Sequence, residues 1–438
     1  MPLTLTIRGD AVLAAACAAG VVVAIRALMK RQRTSAAATK AVTTSTTASS
    51  SSSKPKARVA VVGCGGWTQN WHLPNLANRS DCEVVALVDP AASPGVAGCV
   101  PSMCTSMDAL SQKYGAKVYA NLEAMLSDKS LGPVDGLLCA ASHAAHHEIG
   151  VLAMSKGMHV LMEKPMTTDV KEARALLELS RARPKQGFMI NNTANWQPGT
   201  VAAYEAVAAG KLGELKHVSC VLAAPLGWLF EGAEHKNWTA KTGTMLGNGF
   251  GWGQFSHTFA WVYKVTGLTP KTVYASCAHS KTTGADLFDA VVVTCTNGAT
   301  ISASGVGSCP DTGAKVVGNW LFGSGGMLSY GGLAGSDNVE NEAGMGAESA
   351  QPRGMGASRL EYWLGDGTHT VGPAFEFEHL DQGGTGPGSM DAWIAACRGE
   401  PYFDGAGALV GLKAVATIEA MYRSARSGKA EPVSDTCE

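Results

Sequence analysis

Lys164 stands between Glu163 and Pro165, at the end of the apolar run His159-Val-Leu-Met-Glu163. About a hundred residues earlier lies a glycine-rich turn, Gly63-Cys-Gly65-Gly66. A residue that precedes proline is pushed toward extended geometry, so Lys164 is expected to project from the carboxyl edge of a parallel sheet. That edge is where doubly wound sheets hold their ligands. A lysine there can exchange a proton with a substrate oxygen, the more readily when it is desolvated or faces another positive charge such as an oxidised nicotinamide ring. A solvated surface lysine is the alternative reading of the tripeptide taken alone.

The elements around it favour the chemical reading. Val59-Ala-Val-Val62 is a short β-branched run, followed by Gly63, Gly65 and Gly66 and then by Trp67 to Leu76, which predicts strand, turn and helix. Glycines permit a tight turn and close approach of the backbone to a pyrophosphate, whose charge suits a helix N-terminus. Gly63, Gly65, Gly66, Trp67 and Thr68 are therefore the expected cofactor contacts, with Thr68 standing where the full fingerprint has its third glycine. A second buried run, Val84 to Val88, ends in Asp89, 24 residues beyond Gly65, where an acid can take both ribose hydroxyls. Pro90 follows and no arginine is adjacent, which favours NAD over NADP. A turn-forming aspartate at a strand end is the alternative.

A third strand, Val134 to Cys139, leads to His143, His146 and His147 at the mouth of a helix. No carboxylate or cysteine at ligand spacing completes a metal site there, so none is expected. A fifth strand, Gly187 to Ile190, follows a helix capped by Asp169 with Glu172 three residues on. Five strands alternating with helices imply α/β architecture with a doubly wound parallel sheet.

At 438 residues, 46% hydrophobic and 16% charged, the chain can bury two cores. Residues 1–57 hold eight Lys or Arg and one acid, which leaves 27 basic against 35 acidic residues in the body and argues against nucleic-acid binding. The twelve cysteines form no Cys-x-x-Cys pair and read as reduced core residues. Residues 1–57 form a leader with an apolar segment at 11–29 and a flexible linker. The run Ala11 to Ile25 is short of the roughly 20 residues that span a bilayer, and Ala27 to Met29 can extend it past a snorkelling Arg26. Insertion would keep the basic flank, and the body with it, on the cytosolic side. An organelle transit peptide is the alternative, since residues 26–57 are rich in Ser, Thr and basic residues and lack acids.

These landmarks together resemble the Gfo/Idh/MocA oxidoreductases, a family that includes glucose-fructose oxidoreductase, inositol dehydrogenases and dihydrodiol dehydrogenases. The resemblance is carried by Gly63-Cys-Gly-Gly-Trp-Thr with His72-Leu-Pro, by Asp89, His146, Gly157-Met-His-Val and Glu163-Lys164-Pro165, and downstream by Asn195-Trp-Gln-Pro198, Gly210-Lys-Leu-Gly213 and Met421-Tyr-Arg-Ser-Ala425. It covers nearly all of residues 58–432. It implies a Rossmann dinucleotide-binding domain at 58–186 and, at 187–438, an α+β domain for substrate binding and oligomerisation, built on an open, mostly antiparallel sheet. The strand-like runs Leu215 to Leu222, Lys271 to Ala278, Phe288 to Thr296, Ala299 to Gly305 and Val316 to Phe322 support such a sheet independently. Residues 331–358 read as a long surface loop.

The resemblance also implies NAD (with NADP as alternative), cofactor contacts from Ser142, His146, Glu163 and Lys164, a homodimer or higher oligomer, and a small carbohydrate or polyol substrate. In the family the lysine works with a histidine of the second domain preceded four residues earlier by an aspartate. Gly253-Gln-Phe-Ser-His257 aligns with that helix, so Lys164 and His257 are the expected catalytic residues, while Gly253 stands at the aspartate position and Phe255 at that of a glycine. Asn191, Asn192, Trp196 and Trp238 could wall a polar, aromatic pocket for a sugar or cyclic polyol, with His257 facing it. Two other classes share the architecture: NAD-dependent glycoside hydrolases that are redox-neutral overall, and non-catalytic dinucleotide-binding regulators such as the galactose-pathway repressor.

Overall fold

The strand β1, Ala57–Val62, is almost wholly buried because it lies at the centre of a six-stranded parallel sheet. Parallel sheets are covered on both faces, which is why its residues are apolar without alternation. The computed structural model describes residues 54–94, 104–232, 241, 245–309, 316–332, 360–371 and 384–434. The other strands of this sheet are β2 (Cys82–Val88), β3 (Lys117–Tyr119), β4 (Gly136–Cys139), β5 (His159–Met162) and β6 (Phe188–Ile190), in the order β3-β2-β1-β4-β5-β6. The order reverses between β1 and β4, and that switch point opens a crevice at the carboxyl edge.

Six strands are present where five were expected. The additional one, β3, has three residues at the edge of the sheet, none of them fully buried, so it carries no apolar run to betray it. The domain boundary expected at 186 also cuts this sheet, because β6 is its last strand. The helix Gly388–Cys397 likewise returns to it: Met390, Trp393 and Ile394 are buried against Val59, Leu138 and Leu161, and Trp393 Nε1 donates to the His159 carbonyl at 3.1 Å.

The second sheet has nine strands in the order β14-β13-β12-β11-β7-β10-β9-β8-β15. These are β7 (Leu215–Ala223), β8 (Pro270–His279), β9 (Asp286–Cys295), β10 (Thr300–Val306), β11 (Val316–Gly323), β12 (Gly326–Gly332), β13 (Leu360–Leu364), β14 (His369–Val371) and β15 (Glu431–Pro432). All neighbours are antiparallel except β7 and β10. One face packs against the helices Ser256–Thr266 and Ala408–Ser427; on the other, Tyr274 of β8 and Phe288 and Val292 of β9 are about half exposed. The alternation along β9 is what a sheet covered on one side requires.

Residues 1–53 of the expected leader, including its apolar segment, lie outside the described residues, as do Trp238 and residues 333–358 of the expected surface loop; Ala57, placed in the leader, is the first residue of β1. Among the described residues no helix is long and apolar enough to cross a membrane.

Candidate functional site

The turn after β1 is shaped by close approach. Gly63 has φ +85°, and a Cβ on it would lie 2.5 Å from the Ala140 carbonyl at the end of β4, so only glycine fits where the two strand ends meet. Gly65 faces open space, and the chain turns helical from Gly66. Thr68, buried, donates through Oγ1 to the Gly63 carbonyl at 2.6 Å, so the residue in the third glycine's place braces the turn from behind. Asp89 closes the crevice at the end of β2. Its Oδ2 accepts from the Cys64 N–H at 2.8 Å and its Oδ1 from the Ala91 N–H at 2.9 Å. Each oxygen keeps acceptor capacity for a further donor.

Across the crevice, β5 runs directly into Glu163. One carboxylate oxygen, Oε1, accepts three bonds: from His72 Nε2 at 2.8 Å, from Asn191 Nδ2 at 2.7 Å and from Trp67 Nε1 at 3.1 Å. Asn191 is held in turn by Ser389, whose hydroxyl donates to its Oδ1 at 2.5 Å. Burial by itself would raise the Glu163 pKa, but the His72 hydrogen bond and charge, with Lys164 and Asn191, bring it down to about 2. Trp67 and His72, five residues apart, reach the same oxygen because residues Thr68–His72 wind as a π-turn. That wider winding places positions five apart on one face.

Lys164 follows, with its peptide bond to Pro165 cis. Its Nζ donates to the Gly253 carbonyl at 2.8 Å. Gly253 belongs to a second π-turn, Gly251–Phe255, which runs straight into the helix Ser256–Thr266 that carries His257. Lys164 and His257 line one cavity of about 110 Å³, together with Trp67, Trp71, His72 and Gln254. The indoles of Trp67 and Trp71 stand 5.3 Å apart, centroid to centroid. A larger depression of about 610 Å³ lies at the amino edge of the parallel sheet among Lys56, Arg58, Glu83 and Lys117. It contains none of the residues just described.

The remaining expected site residues fall into two groups. Ser142, exposed, precedes the short turn His143–Ala145 after β4 and so borders the crevice. His146 is fully buried, its two ring nitrogens facing the carbonyl oxygens of Pro165 and Ala141 at 3.0 and 3.1 Å. It ties the loop after β4 to the loop after β5 instead of opening onto the crevice. His143 stays neutral: enclosure, then the nearby His146 and Lys164, push its pKa down to about 3. Among the described residues, no group of three or more His, Cys, Asp and Glu side chains is arranged to hold a metal ion.

Asn192 and Trp196 do not line the cavity, contrary to expectation. Asn192 is buried and donates to the Ser256 carbonyl at 3.3 Å; Trp196 donates through Nε1 to the Phe403 carbonyl at 2.9 Å and packs against Gly388 and Gly405. The backbone behind β6 leaves polar groups that must be satisfied, and these two side chains serve them. Asn191, also expected to wall the pocket, does line the cavity; beside it stand Trp67 and Trp71 as the aromatic wall and Gln254 and Thr193 as polar groups, none of these four expected to meet substrate. The signal for the wall was the i, i+4, i+8 spacing of Trp67, Trp71 and Asn75.

Comparison with known proteins agrees with this architecture. The Gfo/Idh/MocA pattern described as an oxidoreductase family with NAD-binding Rossmann fold matches residues 57–191, and the Gfo/Idh/MocA C-terminal domain matches residues 200–329. An uncharacterized oxidoreductase of Synechocystis is 27% identical over 218 residues, 49% of this chain and 52% of its own length. Inositol 2-dehydrogenase of Corynebacterium glutamicum is 26% identical over 159 residues, 36% of this chain and 43% of its own. The chain thus spans about half or less of the length of these relatives. A solved oxidoreductase from Agrobacterium radiobacter, in complex with NAD+, L-tartaric acid and magnesium, superposes with a TM-score of 0.62 at 15% identity, over 86% of this chain and 98% of that one, which shows a common fold.

Proposed function

Because the chain belongs to the Gfo/Idh/MocA oxidoreductase family, we propose that it transfers hydride between NAD and a secondary alcohol or ketone of a sugar, cyclic polyol or dihydrodiol, with Lys164 as acid–base group. The observation that carries this reading is the convergence of Lys164 and His257 on one cavity beside the glycine turn.

The residues at the crevice suit a dinucleotide. Gly65 leaves open space beside a helix start, a cradle that a side chain would fill. The Asp89 carboxylate is placed to accept ribose hydroxyls, and its charge disfavours a 2′-phosphate, hence NAD over NADP. Bound NAD would supply the hydride acceptor. Ser142 borders the same crevice and is assigned to the cofactor side, while Glu163 and His146 shape the two loops that face it.

The chain's own part is to hold and move a proton. Lys164 takes the hydroxyl proton as the carbinol carbon is oxidised and returns it in the reverse direction. The Gly253 carbonyl accepts one N–H of the amine and holds it at the cavity wall. His257 and Gln254 hydrogen-bond the substrate's other oxygens. The indoles of Trp67 and Trp71 offer apolar faces to ring carbons, a combination that suits a ring bearing several hydroxyls. The inositol dehydrogenase relative acts on such a ring. The open face of the second sheet, with Tyr274, Phe288 and Val292, is the proposed contact with a second copy of the chain.

The test is spectral. The purified protein is given NAD or NADP, and absorbance of the reduced nicotinamide is followed while sugars, inositols and dihydrodiols are screened. Growth of the reduced signal with one class supports the proposal. Dinucleotide binding without net turnover in either direction would sink it in favour of a redox-neutral hydrolase or a regulator.

A further inference from the structure

The π-turn that meets Lys164 rests on two buried side chains distant from it in sequence. Asp286, at the start of β9 and fully buried, accepts from the Gly251 N–H through Oδ2 at 2.7 Å and from the Tyr422 hydroxyl through Oδ1 at 2.9 Å. Tyr422 is itself buried, near the end of the helix Ala408–Ser427. The fit is close. A Cβ on Gly249 would overlap the backbone and carboxylate of Asp286, and one on Gly251 would overlap the Tyr422 hydroxyl and the Met421 methyl. The indole of Trp252, the next residue, lies 5.8 Å from the Tyr422 ring, centroid to centroid.

Gly251 is the first residue of the turn Gly251–Phe255. Two residues on, the Gly253 carbonyl meets Lys164 Nζ; Gln254 and His257 then enter the cavity wall. We infer that Asp286 and Tyr422 are positioning residues that set the Lys164 amine through the Gly251–Phe255 turn. The carbonyl of Gly253 thereby serves where a carboxylate side chain four residues before the histidine is missing. The inference rests on the assignment of Lys164 to proton transfer, and it adds the reason every second residue from Gly247 to Gly251 is glycine: a Cβ at each of these positions would overlap Tyr422 or Asp286. Losing the carboxylate would strand a buried N–H and a buried hydroxyl, so the turn would move to find other partners.

The test uses Asp286→Ala, Asp286→Asn and Tyr422→Phe in the full chain. The first readout needs no turnover: the rate at which Lys164 is reductively methylated in cofactor-free protein, quantified by mass spectrometry against exposed Lys113 in the same molecule. Asp286→Ala is expected to change the Lys164 rate several-fold, whereas Asp286→Asn, which keeps an acceptor for the Gly251 N–H, restores it to near the wild-type value. The second readout is kcat, expected to fall about 10- to 100-fold in Asp286→Ala with the Kd for NAD unchanged. Wild-type Lys164 reactivity in a folded Asp286→Ala would overturn the inference. Should that variant not fold, Tyr422→Phe decides it: a Lys164 rate equal to wild type overturns it and a changed rate supports it. A wild-type protein that turns over no substrate would remove the hydride-transfer proposal while leaving the labelling comparison intact.

Discussion

His72 Nε2 and Glu163 Oε1 stand 2.8 Å apart and join the helix behind the glycine turn to the end of β5. The carboxylate is buried, with its pKa depressed to about 2. A depressed folded pKa means that its contribution to stability is present above the unfolded value, about 4.3, and is lost as pH falls toward 2. Glu163→Gln, which weakens the acceptor shared by His72, Trp67 and Asn191, is expected to cost about 3 kcal/mol at pH 7. The wild-type advantage in thermal unfolding should shrink between about pH 4.5 and pH 2. A gap independent of pH over that range would show that the carboxylate is not the group responsible.

Lys164→Met removes the proton carrier while keeping a long side chain in the cavity. Turnover should fall about 100- to 10,000-fold. Binding of NAD, followed by quenching of tryptophan fluorescence, should change little, because the glycine turn and Asp89 are untouched. An active variant would end the catalytic assignment.

Asp89→Ala removes an acceptor from the Cys64 and Ala91 N–H groups as well as from the proposed ribose. NAD affinity should weaken about tenfold, the equivalent of one charge-assisted hydrogen bond, and NADP affinity should weaken less or improve. Parallel titrations of the two cofactors read the ratio. An unchanged preference would mean that another group reads the ribose.

Asp289 is buried in β9 without a well-formed hydrogen bond, beside Asp286 and Cys277. Burial first, and then the charge of Asp286, hold its carboxyl well above the usual range. A raised folded pKa makes the stability contribution complete below about pH 4 and progressively lost as pH rises toward the folded value. Asp289→Asn removes that titration, so its melting temperature should exceed the wild type's by about 2–4 °C at pH 8, and the difference should narrow toward pH 4. A constant difference from pH 4 to 8 would show that Asp289 does not titrate there.

Much of the nucleotide half was legible because its signals are local. A β-branched run, a glycine turn and an acid at the end of the next strand each depend on neighbouring residues, and parallel strands buried on both faces leave continuous apolar runs. Five strands of the second sheet were likewise readable from their runs and turns. The edge strand β3 was not, since three partly exposed residues leave no pattern.

The sequence by itself determined the α/β class, the glycine turn with Asp89, and Lys164 at the edge of the sheet. Tertiary structure decided which side chains share the site. Two π-turns, Thr68–His72 and Gly251–Phe255, put His72 on Glu163 and the Gly253 carbonyl on Lys164, and a 3.6-residue periodicity cannot register either displacement. Asn192 and Trp196 satisfy backbone carbonyls while Trp67 and Trp71 wall the cavity, because a polar group entering a buried position is claimed by the nearest unmet partner. That partner comes from a segment tens to hundreds of residues away, which only the folded chain brings within reach.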